Sequence, residues 1–172
     1  MEKEKYIYGL DLSLSDTGVA IFNKKGELIK LTSIPTTVTY KTGIKNNPNW
    51  KNKNMILGIR LKHIYDTYSK LREEYPPEKV IIERGFNKYN NSSQASFRVH
   101  GITNLAFSDV ENIYYPPKSV KGAITGKGNA SKAKVASVLS ERFGYKFAND
   151  DESDSVAVGL TYFIEEGLIE WK

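Results

Sequence analysis

The chain contains no cysteine. A Cys-based zinc site, a thiol nucleophile and a disulfide scaffold are therefore excluded, and a reducing compartment is allowed without being required. Histidine is scarce too. His63 and His100 are the only two, each inside a stretch of helical periodicity, and both read as packed or solvent-facing residues rather than general bases. No apolar run is long enough to cross a bilayer. The opening residues MEKEKYIYGL mix acids and bases where a secretory leader would need a basic end followed by an apolar stretch. These absences predict a soluble, intracellular protein with no membrane partner. What is present, 172 residues of which 40% are hydrophobic and 26% charged, suffices for one compact domain over 1–172.

The net charge is only +5, from 25 Lys and Arg against 20 Asp and Glu, but it is unevenly placed. Residues 41–72 carry eight Lys/Arg against the single Asp66, and residues 118–134 carry five Lys and no acid. Residues 149–172 reverse the sign, with seven acids against Lys172. Any one charge run is ordinarily a solvated face. Two basic stretches with a separate acidic cluster suggest instead one surface for a polyanion and another for a cation, the pattern of a metal-dependent enzyme acting on nucleic acid.

Residues 6–12 are apolar on both parities apart from Asp11, which predicts a buried strand. A turn at 13–18, a short strand at 19–22, a turn at 23–26 and a strand at 27–35 complete an antiparallel meander of three strands. Residues 36–54, rich in Thr, Asn and Lys, read as a long mobile basic loop. Leu57, Leu61, Ile64, Tyr65, Tyr68 and Leu71 have helical spacing that ends at Pro76-Pro77. A strand at 79–83 ends on Glu83. A helix near 92–107 capped by Ser92 or Ser93, a strand at 110–115, and helices near 130–143 and 150–166 follow. The expected fold class is α/β: a five-stranded mixed sheet, three strands antiparallel and two parallel, flanked by helices.

Asp11 and Glu83 stand in or at the end of apolar strands, where a carboxylate is costly unless paired or bound to a metal. Asp151 and Asp154 share one face of a helix start. The helix dipole alone accounts for Asp150 and Glu152, but it explains neither strand acid. If all four converge, unpaired carboxylates at about 4 Å would repel by roughly 4 kcal/mol per pair. Oxygen ligands suit Mg²⁺ or Mn²⁺, and two ions about 3.5–4 Å apart would support in-line hydrolysis of a phosphodiester.

These residues carry a resemblance. Gly9-Leu-Asp11 with Ser15-Asp-Thr-Gly18, Val80-Ile-Ile-Glu83-Arg-Gly-Phe86, the run from Pro117-Lys-Ser-Val-Lys121-Gly to Lys132-Ala-Lys-Val135, and Asp151-Glu-Ser-Asp154-Ser-Val-Ala, in this order, resemble the RuvC-type Holliday-junction resolvases. The resemblance implies an RNase H-like fold, a homodimer, and Mg²⁺-dependent paired nicking of four-way or other branched DNA. It implies two Mg²⁺ per site, replaceable by Mn²⁺, on a tetrad of Asp11, Glu83, Asp151 and Asp154, with Lys132 in the catalytic group. Lys121 and Lys132 match two family lysines near the active site, and Phe86 matches an aromatic placed against unstacked bases. From the residues themselves, Lys118, Lys121, Lys127, Lys132 and Lys134 surround flexible glycines, Gly122, Gly126 and Gly128, that let a backbone approach phosphates closely; with Lys88 and Tyr89 near Phe86 they complete the expected DNA-binding set. Leu12-Ser13 after Asp11, where bacterial members usually have Pro-Gly, is more like phage and viral resolvases. The location is then bacterial cytoplasm or an infected host cell.

Three other readings remain beside it. One is a broader nuclease for forks and flaps, and another is a non-catalytic branched-DNA-binding protein. The third is a sugar-kinase-like or actin-like ATPase fragment, because Asp11 to Gly18 resembles the phosphate loop of those folds. That architecture needs two such domains, and this chain supplies one. Gly122 to Gly128 is no P-loop, with three residues rather than four between Gly122 and Gly126 and Gly128 in place of the Ser/Thr.

Overall fold

Apolar residues on both parities of the first strand have a simple explanation: both faces of the sheet are covered. The computed structural model describes residues 4–37, 42–84 and 91–171 and, within the last span, side chains from Gln94 onward. Strands β1 (Tyr6–Asp11), β2 (Asp16–Phe22) and β3 (Leu28–Pro35) form the expected antiparallel meander. β4 (Pro77–Glu83) and β5 (Glu111–Tyr115) add in parallel on the other side of β1, giving the order β3-β2-β1-β4-β5. β2 starts three residues earlier than the hydrophobic pattern suggests, at Asp16 rather than Val19. Asp11 pairs with Gly18, and the buried Thr17 hydroxyl donates to the Ser13 carbonyl at 2.6 Å, so the turn is shorter than its polar residues imply.

Side chains two apart along a strand share a face. Tyr8, Leu10, Val80 and Ile82 pack with Ile64 and Tyr68 of α1 (Ile56–Glu74) and Val99 of α2 (Asn91–Ala106). Ile7, Ala20 and Ile81 pack on the opposite face with α3 (Pro117–Thr125), α4 (Lys132–Phe143) and α5 (Asp150–Glu165). Each fully buried aliphatic contributes roughly 1.5–3 kcal/mol. α5 is the central helix, with Ser155 through Phe163 all buried, so its polar side chains bond along the helix, Thr161 to the Ala157 carbonyl at 2.8 Å. It lies almost on the sheet because Gly9 and Gly18 have no side chain. A Cβ there would overlap the Ser155 and Asp151 carbonyls respectively.

One expectation needs correction. The basic stretch 118–134 is not a flexible glycine loop, since its first part is α3, with Pro117 at the first helical position and Val120 and Ile124 buried beneath. Gly122 is thus a helical residue. Within 36–54, the described residues 42–54 hold a short 3₁₀ turn at Ile44–Asn46 that buries Ile44, followed by turns in which Asn47 and Asn52 side chains accept from the Asn49 and Asn54 backbone N–H groups.

Candidate active site

Asp11 shares strand parity with Ile7, and Glu83 with Ile81, so both acids face α5. Leu10 pairs with Ile82 across β1 and β4, which places the two acids at matching ends of adjacent parallel strands, with strand spacing about 4.8 Å. The N-terminal end of α5 crosses this edge with Asp151 and Asp154. Its start is fixed by the Asn149 cap, whose Oδ1 accepts the Glu152 N–H at 2.9 Å, while Glu152 reaches back to accept the Ala148 N–H at 2.7 Å. Glu152 is therefore a capping residue. The Lys132 ammonium, from the first turn of α4, pairs with Asp154 Oδ2. Lys121 of α3 lines the same small cleft with Glu83, Lys132 and Asp154.

Burial pushes the Asp11 carboxyl up to about 7, helped by the Asp154 and Glu83 charges and less by Asp151, against the opposing pull of Lys132. Burial and the Asp154 charge likewise raise Glu83, although Lys132 and Lys121 oppose it. Asp151 is raised by burial and then by Asp16. Burial depresses Lys132, but its bond to Asp154 and the Asp154 and Asp11 charges outweigh that and hold it above its ordinary value. Glu83, Asp151 and Asp154 thus all lie within electrostatic reach of Asp11, and the excess negative charge is only partly met by two lysines.

That donor set is all oxygen and poorly solvated, which fits a hard divalent cation in kind. As the side chains stand, with Asp154 turned to Lys132, no group of three or more acid or histidine residues among the described residues closes to ligating distance. Lys118, Lys127 and Lys134 are exposed on the α3–α4 surface. Phe86, Lys88 and Tyr89 lie outside the described residues. His63 and His100 are half-buried with pKa values lowered by burial, and His100 stacks on Tyr114, in keeping with a packing role.

Sequence reading does not single out three further residues. Asp16 begins β2 beside Asp151, and Asn149 caps the acid-bearing helix. Arg60 of α1 donates to the Leu14 carbonyl at 3.1 Å and to Thr36 Oγ1 at 2.9 Å, tying down the turn after Asp11. Asn149 fits the Asn-x-x-Glu pattern of a helix start; Arg60 has no local signal, its partners being 24 and 46 residues away.

A mixed sheet in this order, with acids at the ends of its two central parallel strands and on the helix laid across them, is an RNase H-like nuclease architecture. The family model for crossover junction endodeoxyribonuclease RuvC matches residues 7–162, and the chain belongs to that family. It is 32% identical to the RuvC of Cytophaga hutchinsonii over 117 residues, 65% of this chain and 58% of that relative. It is 28% identical to the RuvC of Christiangramia forsetii over 99% of this chain and 85% of that relative. Thermus thermophilus RuvC, solved in complex with a Holliday junction substrate, has the same fold, with a TM-score of 0.74 at 22% identity over 94% of each chain.

Proposed function

We propose that this chain is a divalent-metal-dependent endonuclease that resolves Holliday junctions by nicking two strands. The observation that carries the reading is the convergence of Asp11, Glu83, Asp151 and Asp154 beside Lys121 and Lys132 in a member of the RuvC family. Mg²⁺, two ions per site with Mn²⁺ as substitute, would supply an activated water and neutralise the charge developing on the leaving oxygen. Asp11 and Glu83 would hold it from the sheet, and Asp151 and Asp154 from the helix. Lys132 of α4 would place a cation at the cleft for the scissile phosphate, and Lys121 of α3, which lines the same cleft, would place another. Lys118, Lys127 and Lys134 extend that positive surface along the DNA backbone. Phe86, Lys88 and Tyr89 lie within six residues after Glu83 in sequence, and an aromatic from this segment stacked on an unpaired base would contribute about 1–3 kcal/mol.

Part of the basic stretch 41–72 is already paired within the chain. Arg72 pairs with Asp109, Lys62 with Asp66, and Arg60 binds backbone, while Lys51, Lys53 and Lys70 are exposed for phosphates. Two coupled nicks call for two active sites, hence a homodimer. α2 offers an apolar face for it, with Phe97 and Leu105 more than half exposed. Among the described residues no helix is long and apolar enough to cross a membrane. The test is cleavage of a synthetic four-way junction with Mg²⁺, beside forks, flaps and duplex. Asp11→Asn, Glu83→Gln and Asp154→Asn should each abolish cutting while junction binding persists. Cleavage retained in all three would end the metal mechanism, and equal cutting of forks and flaps would favour the broader branched-DNA nuclease.

A further inference from the structure

Asp16 is the first residue of β2 and lies beside the carboxylate set without belonging to it. Aspartate is disfavoured in strands, so the strand itself does not ask for it. One of its oxygens, Oδ1, is buried with no hydrogen-bond partner among the described residues, which is an unfavourable arrangement for a carboxylate. The other, Oδ2, faces the Asn149 side-chain amide, which donates to it across 3.4 Å. Asn149 uses its second side-chain atom to cap α5. A single amide therefore reaches back to the start of a strand and forward into the first turn of the helix that bears Asp151 and Asp154.

Two residues beyond Asp16, Gly18 touches the Asp151 backbone so closely that no side chain fits between them. Strand start and helix start are one packed unit, and a displacement at either is felt at the other. Burial and, after it, the Asp16 charge hold Asp151 above the usual carboxylate range, which reports how near the two acids stand.

We infer that Asp16 is a positioning residue of the active site: by holding the Asn149 amide it sets the first turn of α5, and with it the Asp151 and Asp154 carboxylates, for cation binding. Small displacements of groups that must converge on one point have large effects, and residues that orient ligands commonly change metal affinity by about 10–100-fold. Asp16 is placed outside the set that would hold the cation. It acts through Asn149.

The inference rests on the metal-dependent reading above, and the experiment separates the two. Mn²⁺ binding to the full chain without DNA is measured by titration calorimetry, with melting temperature in EDTA measured alongside. Asp154→Asn should lose binding relative to the wild type; equal binding by both overturns the metal-site reading and this inference with it. Given that loss, Asp16→Ala should bind Mn²⁺ about tenfold more weakly at a nearly unchanged melting temperature. Asp16→Asn keeps an oxygen that can accept from Asn149 and should stay within about threefold of wild type, the more usual scale of a loss of charge at a distance. Asn149→Ser keeps the cap but loses the donated hydrogen bond, and it should match Asp16→Ala with no further loss in the double variant. Should Asp16→Ala fail to fold, Asn149→Ser makes the same test from the other end of the bond. Wild-type Mn²⁺ affinity in either of these two variants overturns the inference. So does an Asp16→Asn loss as large as the Asp16→Ala loss, since charge alone would then account for it.

Discussion

Asp11 shows at the scale of one residue what the site demands of the fold. Its carboxyl holds a proton up to about pH 7, because burial and three neighbouring acids disfavour its charge. An unfolded chain releases the same proton near pH 4. Between those values the folded state binds more protons than the unfolded one, so stability falls as pH rises, and above pH 7 the whole penalty is present. Asp11→Asn cannot ionise. In EDTA at pH 8 it should therefore be more stable than wild type, by on the order of 2–4 kcal/mol, with the difference shrinking toward zero near pH 4. Thermal unfolding across that range reads the effect directly, and coincident melting curves at pH 8 would contradict it. Asp11 and Glu83 were legible in the sequence because an acid in an apolar strand has few explanations. The Lys132–Asp154 pair was legible only through the family resemblance, its members being 22 residues apart. Asp16 stood inside a motif with no visible role, since its partner lies 133 residues on.

At the scale of elements, the contact of β2 with α5 decides where the helix acids stand. Gly18→Ala would drive a methyl group into the Asp151 carbonyl, and a backbone atom in a packed helix has little room to yield. The variant should lose roughly 1–3 kcal/mol of stability and bind Mn²⁺ more weakly. Gly58→Ala is the control, because a Cβ there meets nothing within 4 Å and sits in the first turn of α1. It should be neutral or stabilising by up to about 1 kcal/mol. Equal melting temperatures for the two alanine variants would show that the helix can retreat from the sheet at no cost. The meander, the two parallel strands and four of the five helices followed from hydrophobic spacing. α3 did not, although Pro117 at its start and Gly126 after its end are ordinary helix punctuation. Lys118, Lys121 and Gly122 hid a helix whose buried contacts reduce to Val120 and Ile124. The lysines there bear on the proposed DNA contact, whereas the small buried face is what sets the fold.

At the scale of the molecule, charge and apolar surface are sorted to different sides. Acids gather where β1, β4 and α5 meet, lysines of α3 and α4 rim that cleft, and the outward face of α2 carries Phe97, Gly101 and Leu105 at a spacing of four. Residues four apart on a helix lie on one face, so these three make a continuous strip. Its two large side chains are 56% and 61% exposed, an arrangement that favours burial against a second copy. A two-fold dimer would give a four-way junction two cleavage sites related by symmetry. Phe97→Asp combined with Leu105→Asp changes only surface positions and should leave the monomer folded. Light scattering should then report half the wild-type mass. On a plasmid with an extruded cruciform, paired nicks release a linear molecule, whereas one nick leaves an open circle. The double variant should shift the product from linear DNA to open circles while the carboxylate site stays intact, and unchanged mass with linear product would assign the dimer contact to another face.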